Sequence, residues 1–415
     1  MSPRVTGALL AVLAMLALPA QAPAAERRCP GEVVGPSAIV IEVSTGAVAC
    51  ARNPDDRRPI ASTTKLMTAL ITLERAKLSD VYPAAEYFPS PAESKIGLEP
   101  GERMTVRDLL RGLLVTSAND GAVTLAEGVS GSRRAFVRAM NRRARELGLK
   151  NTHYANPIGL DERGNYSSAR DLVRLATILR TNEFFRTTVD RPSVRLTSGN
   201  RERTFSNRNT LVREYGWING VKSGHTSQAG DVLVGSGRDR RGVQLVSAVL
   251  GTSGIPARNA ATLALLRDGF KQFQRITAIG RGDEVARVPI RYRRGAELAL
   301  VARRTVKRVV PRGQRDDVSV RAVGVPDDVA GPIVAGQAFG AIEVVQQRRV
   351  VARIPLVSAS SVPAADLEQK AKAWFTGPLP LLLAFAVLAG TVLVGRQLRK
   401  VGRDGRRAGD RPRAA

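Results

Sequence analysis

Residues 231–250 read DVLVGSGRDRRGVQLVSAVL. Two apolar runs, 231–236 and 243–250, flank Arg238-Asp239-Arg240-Arg241-Gly242, a polar cluster where the chain can reverse. The stretch therefore reads as an antiparallel strand pair. Working outward, residues 257–273 make a helix long enough to cover such a sheet. Far upstream, 38–43 (AIVIEV), the turn Ser44-Thr45-Gly46 and 47–51 read as a second hairpin. Between the hairpins, 62–73 (STTKLMTALITL) is apolar nearly all round, as a buried helix is. Further helical segments are expected at 106–116, 120–127, 133–147 and 171–179, with an irregular Pro-rich stretch at 83–101 and a loop at 151–168. Strands at both ends with helices inserted between them mean one α/β (α+β) domain, taken as residues 25–275, with an antiparallel sheet and a helical insert.

Past this domain the pattern changes. Residues 276–357 alternate in short strands punctuated by Gly and Pro, a small all-β domain. Residues 358–373 form a linker and polar stem. Residues 374–395 (WFTGPLPLLLAFAVLAGTVLVG) carry no charge and are long enough for one transmembrane helix. A buried core helix is the alternative, disfavoured because little follows for it to pack against. Residues 396–415 hold Arg396, Arg399, Lys400, Arg403, Arg406 and Arg407, so the positive-inside rule places this tail in the cytoplasm. Residues 1–24 combine Arg4, a short apolar run and small residues near Ala24 and Ala25, the pattern of a cleaved signal peptide. The chain is expected in the cell membrane as a single-pass protein, its body outside.

Composition excludes several classes. Hydrophobic residues at 43% and charged residues at 24% rule out wholesale disorder. Two Cys and two His cannot build the common zinc or haem sites, so no metal and no cofactor is expected. Net charge is 64 − 37 = +27, yet aromatics are only 4% and the excess is scattered, which argues for a solvated basic surface and against nucleic acid. In an oxidising compartment Cys29 and Cys50 can pair as a disulfide or stay as two thiols.

Nucleophile options narrow quickly. A Ser-His-Asp mechanism needs His153 or His225, there is no G-x-S-x-G elbow, and no H-E-x-x-H is present. What remains is Ser62-Thr63-Thr64-Lys65. At i and i+3 on a helix the Lys65 amine reaches the Ser62 hydroxyl, and burial disfavours the ammonium, as a general base near neutral pH requires. Alone such a tetrapeptide is weak, arising by chance about once in a chain this long, and a Ser cap followed by a surface Lys explains it equally well. Two further elements follow in order: Ser117-Ala118-Asn119 between two helices, and Lys222-Ser223-Gly224 where a strand enters the sheet. Individually they read as a helix cap and a turn. Together they form the S-x-x-K, S-x-N, K-[T/S]-G set of penicillin-interactive serine enzymes.

On these motifs, and on the stretches LEPGERMTVRDLLRGLLVTSANDGAVTLAE and INGVKSGHTSQAG, the chain resembles the low-molecular-mass penicillin-binding proteins, the membrane-anchored D-alanyl-D-alanine carboxypeptidases. The resemblance implies a penicillin-binding-protein/β-lactamase-like catalytic fold and removal of the terminal D-Ala from peptidoglycan stem pentapeptides through an acyl-enzyme, with β-lactams as inhibitors. It implies that Ser62 is the nucleophile, Lys65 its base, and Ser117 a proton relay backed by Lys222. Asn119, Lys222, Ser223, Gly224 and Arg208 would bind substrate, and the backbone N–H groups of Ser62 and His225 would form an oxyanion hole. Ser223 departs from the commoner Thr, which leaves a freer hydroxyl rotamer. A D,D-endopeptidase and a β-lactamase share the scaffold, and a non-catalytic wall-binding protein is the alternative from another class.

Overall fold

The computed structural model describes residues 26–375 and 378–407. The expected signal peptide and the last residues of the basic tail lie outside the described residues. The chain divides into two compact units, residues 1–240 with 244–271, and 241–243 with 272–415.

The first unit runs, in chain order, β1 (Ser37–Glu42), β2 (Val48–Arg52), a 3-10 turn at Ala61–Thr64, α1 (Lys65–Arg75), β3 (Val81–Pro83) and β4 (Arg103–Thr105). Then come α2 (Val106–Arg111), α3 (Asn119–Ser130), α4 (Arg133–Glu146), α5 (Ala169–Leu179), α6 (Glu183–Val189), β5 (Ser193–Leu196), β6 (Arg203–Ser206) and α7 (Leu211–Glu214). It closes with β7 (Ile218–Thr226), β8 (Gly230–Arg238), β9 (Gln244–Thr252) and α8 (Ile255–Gln272). The main sheet is antiparallel with the order β2-β1-β9-β8-β7, so the two hairpins read from sequence meet where β1 pairs β9, Ile39 opposite Ala248.

Alternation along the strands gives the sheet two buried faces. Ile39, Val246 and Ala248 join the helical core built on α1, α3 and α5. The opposite face meets α8, close enough that a Cβ on Gly269 would sit 2.8 Å from Leu245 Cδ1 and one on Gly235 would sit 2.7 Å from Thr262 Cγ2. Only Gly permits that approach of helix to sheet. Helices α2, α4, α5 and α6 each open on a side chain that accepts from the first turn, Thr105, Ser132, Ser168 and Asn182 respectively.

Two local departures bear on the site. Residues 62–64 are not yet α-helical: they form the 3-10 turn ahead of α1. The expected helix over 106–116 stops at Arg111 and widens into a π turn over Gly112–Thr116, ending at Ser117 with a left-handed φ of 69°. Such turns gather at functional sites.

The second unit begins with β10 (Phe273–Ile279), where the sequence suggested the end of a helix. It continues as β11 (Glu284–Pro289), β12 (Glu297–Ala302), β13 (Val306–Pro311), β14 (Val318–Val323), β15 (Ala338–Gln346) and β16 (Arg349–Ser358), then α9 (Leu367–Phe375) and α10 (Pro378–Arg407). Its five-stranded sheet has the order β11-β12-β16-β15-β14, and β10 pairs β13. Leu298, Leu300, Ile342, Val344, Ile354 and Leu356 form its core. Among the described residues no helix is long and apolar enough to cross a membrane, so a spanning helix over 374–395 is not part of the described fold. The helical stem runs on to Phe375, and α10 carries its helix well past 395 into the basic segment.

Candidate active site

Ser62 sits half-buried in the 3-10 turn, one turn ahead of Lys65, which is fully buried at the head of α1. Lys65 Nζ donates to Ser62 Oγ at 2.9 Å and to Ile158 O at 2.5 Å. Burial drives the Lys65 pKa well below its ordinary value, the nearby Lys222 charge lowers it further, and Glu93 and Asp120 oppose both. In its neutral form the amine carries a lone pair toward Ser62, and the bond reverses so that Ser62 O–H donates to Nζ.

The Ile158 carbonyl is aimed by the loop that carries it. Asn156 Oδ1 accepts from Ile158 N at 3.2 Å and from Gly159 N at 2.6 Å, an Asx-type turn. Gly159 has φ +89°, and a Cβ there would fall 2.1 Å from Ala61 O, so the loop lies directly against the Ser62 turn. Asp161 ties the same loop to the end of β7, accepting from Thr226 Oγ1 at 2.6 Å and Gln228 N at 3.1 Å.

A second amine–hydroxyl pair faces the first. Lys222, 1% exposed on β7, donates through Nζ to Ser117 Oγ at 2.9 Å and to Ser223 O at 2.8 Å. Burial, then the charges of Arg208 and Arg258, bring its pKa down to about 7. The left-handed Ser117 backbone, uncommon for a residue with a Cβ, turns this hydroxyl toward β7. Gly224 completes the packing. A Cβ there would lie 2.8 Å from Ser62 N and 2.9 Å from Ala61 Cβ, so only Gly lets β7 lie against the nucleophile's own N–H.

The remaining expected residues divide. Asn119 is buried, gives Nδ2 to Glu93 Oε2 at 2.6 Å, and leaves its buried Oδ1 without a hydrogen-bond partner among the described residues. Ser223 is buried with no side-chain partner among the described residues. Arg208 is exposed, held by its N–H to Val115 O at 3.0 Å, and reaches the cluster through its charge on Lys222. The His225 imidazole points outward, 67% exposed, with Nδ1 3.2 Å from Asp231 Oδ2. Cys29 and Cys50 are joined in a disulfide across 21 residues.

Sequence reasoning missed Glu93. Its Oε2 accepts from Asn119 and from the Tyr87 hydroxyl, and its Oε1 accepts from Ser90 N at 3.0 Å. Burial alone would raise its pKa, but these bonds outweigh it and hold the carboxyl below its usual range. Asp120, next to Asn119, pins the following residues by accepting from Ile96, Gly97 and Leu98 N at 2.8–3.1 Å. No spacing rule connects 93 with 119, and the Pro-rich context gave no period to read.

Comparison with known proteins agrees with this geometry. A family model described as D-alanyl-D-alanine carboxypeptidase matches residues 22–254, and one described as penicillin-binding protein 5, C-terminal domain, matches 273–364. D-alanyl-D-alanine carboxypeptidase DacF of Bacillus subtilis is 32% identical over 328 residues, 78% of this chain and 84% of that protein. A D-alanyl-D-alanine endopeptidase of Pseudomonas aeruginosa is 38% identical over 208 residues, 49% of this chain and 67% of its own. The crystal structure of penicillin binding protein 5 from Haemophilus influenzae superposes with a TM-score of 0.57 at 29% identity, covering 80% of this chain and 99% of that one.

Proposed function

The chain belongs to the D-alanyl-D-alanine carboxypeptidase family of serine peptidases, and from that premise we propose how its residues remove a terminal D-Ala from a peptidoglycan stem pentapeptide. Neutral Lys65 takes the proton from Ser62 as Oγ attacks the carbonyl carbon of the penultimate D-Ala. The resulting oxyanion would be met by the N–H groups of Ser62 and His225, a reading supported by the close approach of β7 to Ser62 N that Gly224 permits. When the tetrahedral intermediate collapses, the C–N bond to the terminal D-Ala breaks. Its nitrogen takes a proton from Ser117 O–H, which Lys222 replenishes, a transfer suited to an amine whose pKa is about 7. The proton that Lys65 took from Ser62 makes good the one Lys222 gave up through Ser117, so Lys65 is neutral again. It then deprotonates a water that attacks the ester carbonyl, and as the ester C–O bond breaks it returns that proton to Ser62 Oγ, freeing a peptide shorter by one residue. A β-lactam would enter the same first step and stay attached.

Lys222 and the Ser223 hydroxyl, with Arg208 at the rim, would hold the terminal carboxylate. Asn119, kept in place by Glu93, would present its free Oδ1 to the substrate's amide N–H. The observation that carries the reading is the pairing of two buried amines with two hydroxyls, Lys65 with Ser62 and Lys222 with Ser117, each at 2.9 Å. The test is digestion of purified muropeptides. Loss of one D-Ala from pentapeptide monomers supports the reading; cleavage of cross-linked dimers alone would assign the endopeptidase activity instead.

The C-terminal segment is proposed to cross the cytoplasmic membrane, the catalytic unit outside and the tail inside. Residues 374–395 carry no charge, and the helical part over 378–395 rises about 27 Å at 1.5 Å per residue. Leu382, Leu383, Phe385, Val387, Leu388, Val392, Leu393 and Val394 are each more than half exposed, a surface that lipid would cover. Retention in the membrane fraction after alkaline carbonate washing supports the span, and release by that wash contradicts it.

A further inference from the structure

Among the described residues the first unit has three buried arginines, and two of them are matched to carboxylates. Arg203 pairs with Glu102 through two nitrogens at 2.9 Å each, and Arg258 lies 3.5 Å from Asp231. Arg180 is the exception. It is 7% exposed, its one side-chain hydrogen bond among the described residues runs from Nη1 to Asn219 O at 2.7 Å, and no carboxylate there lies within ion-pair distance. Burying a guanidinium without a paired counter-charge is costly, and Asp190, whose charge does act on Arg180, stays beyond ion-pair distance, which leaves the guanidinium open to another anion.

Arg180 opens into a cavity of about 660 Å³ that shares no residue with the Ser62 site. The end of α5, helix α6, the turn before β7 and the β8–β9 turn all contribute to its walls. Arg186, Arg238 and Arg240 also line it, against Asp190 and Asp239. None of these three arginines makes an ion pair among the described residues. The charges of Arg186 and Arg238 act on Arg180 in the same direction as its burial, bringing it down to about 10 while Asp190 opposes them. Burial in turn pushes Asp190 up, against the pull of Arg180. Chain segments that are distant in sequence thus bring like charges together at the protein's own expense.

We infer that this cavity is a binding site for a phosphate group, monoester or diester, gripped by the Arg180 fork and closed in by Arg186 and Arg238. Guanidinium forks match phosphate oxygens two at a time, and the volume suits a phosphorylated polyol better than a lone halide. Two sources offer that chemistry outside a cell membrane: a polyol-phosphate wall polymer and an anionic phospholipid headgroup.

Trp217 lines the cavity and serves as its reporter, because the chain has only two Trp and Trp374→Phe removes the other. The full chain carrying W374F is placed in phosphatidylcholine bilayers and titrated with sn-glycerol 3-phosphate and with poly(glycerol phosphate) at constant ionic strength. A saturable change in Trp217 emission is expected, weakened about tenfold or more in R186Q/R238Q, two charge-assisted contacts being lost. Including phosphatidylglycerol in the bilayer separates the sources. An emission change on lipid alone, lost in R186Q/R238Q, assigns the headgroup; a response to the soluble phosphates alone assigns the polymer. D-Ala release by the double variant verifies its fold and leaves the hydrolytic reading separately testable. No saturable response to any of these phosphates, or one unchanged in R186Q/R238Q, overturns the site.

Discussion

Replacing Glu93 with Gln probes a site group that no motif announces. The native carboxylate accepts from Asn119 Nδ2, Tyr87 O–H and Ser90 N, all bonds to an ionised acceptor. Such bonds contribute about 1.5–3 kcal/mol each, against about 1 kcal/mol for neutral ones. Gln offers one acceptor oxygen where Glu offers two, so its amide N–H₂ must face either Ser90 N–H or the Asn119–Tyr87 pair. Glu93 is half-buried, so solvent relieves part of the loss. A net cost of about 1–2 kcal/mol in the placement of Asn119 corresponds to a 5–30-fold fall in kcat/KM on a D-Ala-D-Ala peptide. A second readout separates positioning from simple damage. The Glu93 charge raises the Lys65 pKa against burial, so removing it lets that pKa fall further. Lys65 acts as a base only when neutral, so kcat/KM rises as pH climbs through its pKa, and in E93Q this acid limb moves to lower pH. The assay is D-Ala release across pH 4–9 by wild type and variant. An E93Q enzyme with an unshifted acid limb and undiminished kcat/KM would refute the reasoning.

Three further outcomes are expected. Lys65→Met fills the buried site without an amine; the rate of acylation by a fluorescent penicillin should drop about 10²–10⁴-fold. Its stability, read by urea unfolding, should change by no more than about 1–3 kcal/mol, the cost of leaving Ile158 O without its partner. Gly224→Ala drives a Cβ onto Ser62 N at 2.8 Å and should slow acylation by about 10²–10³-fold, as loss of an oxyanion donor does; stopped-flow acylation near the wild-type rate would contradict this. Cys29→Ala with Cys50→Ala opens a cross-link across 21 residues and should lower unfolding free energy by about 3 kcal/mol while activity per folded molecule holds. An unchanged urea midpoint would count against it.

Much of the site was legible because its chemistry is local. Ser62 and Lys65 share one turn whether that turn is 3-10 or α, and Lys222-Ser223-Gly224 is three consecutive residues of one strand. The sheet was legible for the same reason, since each hairpin pairs residues near in sequence, although the β1–β9 pairing that unites them was not. The widening at Gly112–Thr116 escaped notice because its apolar residues keep helical spacing and only the backbone hydrogen bonds change. Glu93, Tyr87, Ile158 O and Asp161 were hidden because each reaches its partner through long-range folding of irregular loops. The arginine cavity joins segments near 180–190, 217 and 238–240, and no window of sequence shows that convergence.

The central claim is that the Ser62 hydroxyl, activated by Lys65, forms a covalent bond to the acyl group. Exposing the full chain to a β-lactam, digesting it with trypsin and mass-mapping the adduct tests this directly. The reading expects one added mass, on the peptide that contains Ser62 and ends at Lys65, and none in Ser62→Ala. An adduct on any other residue, or the same adduct surviving in Ser62→Ala, would contradict it.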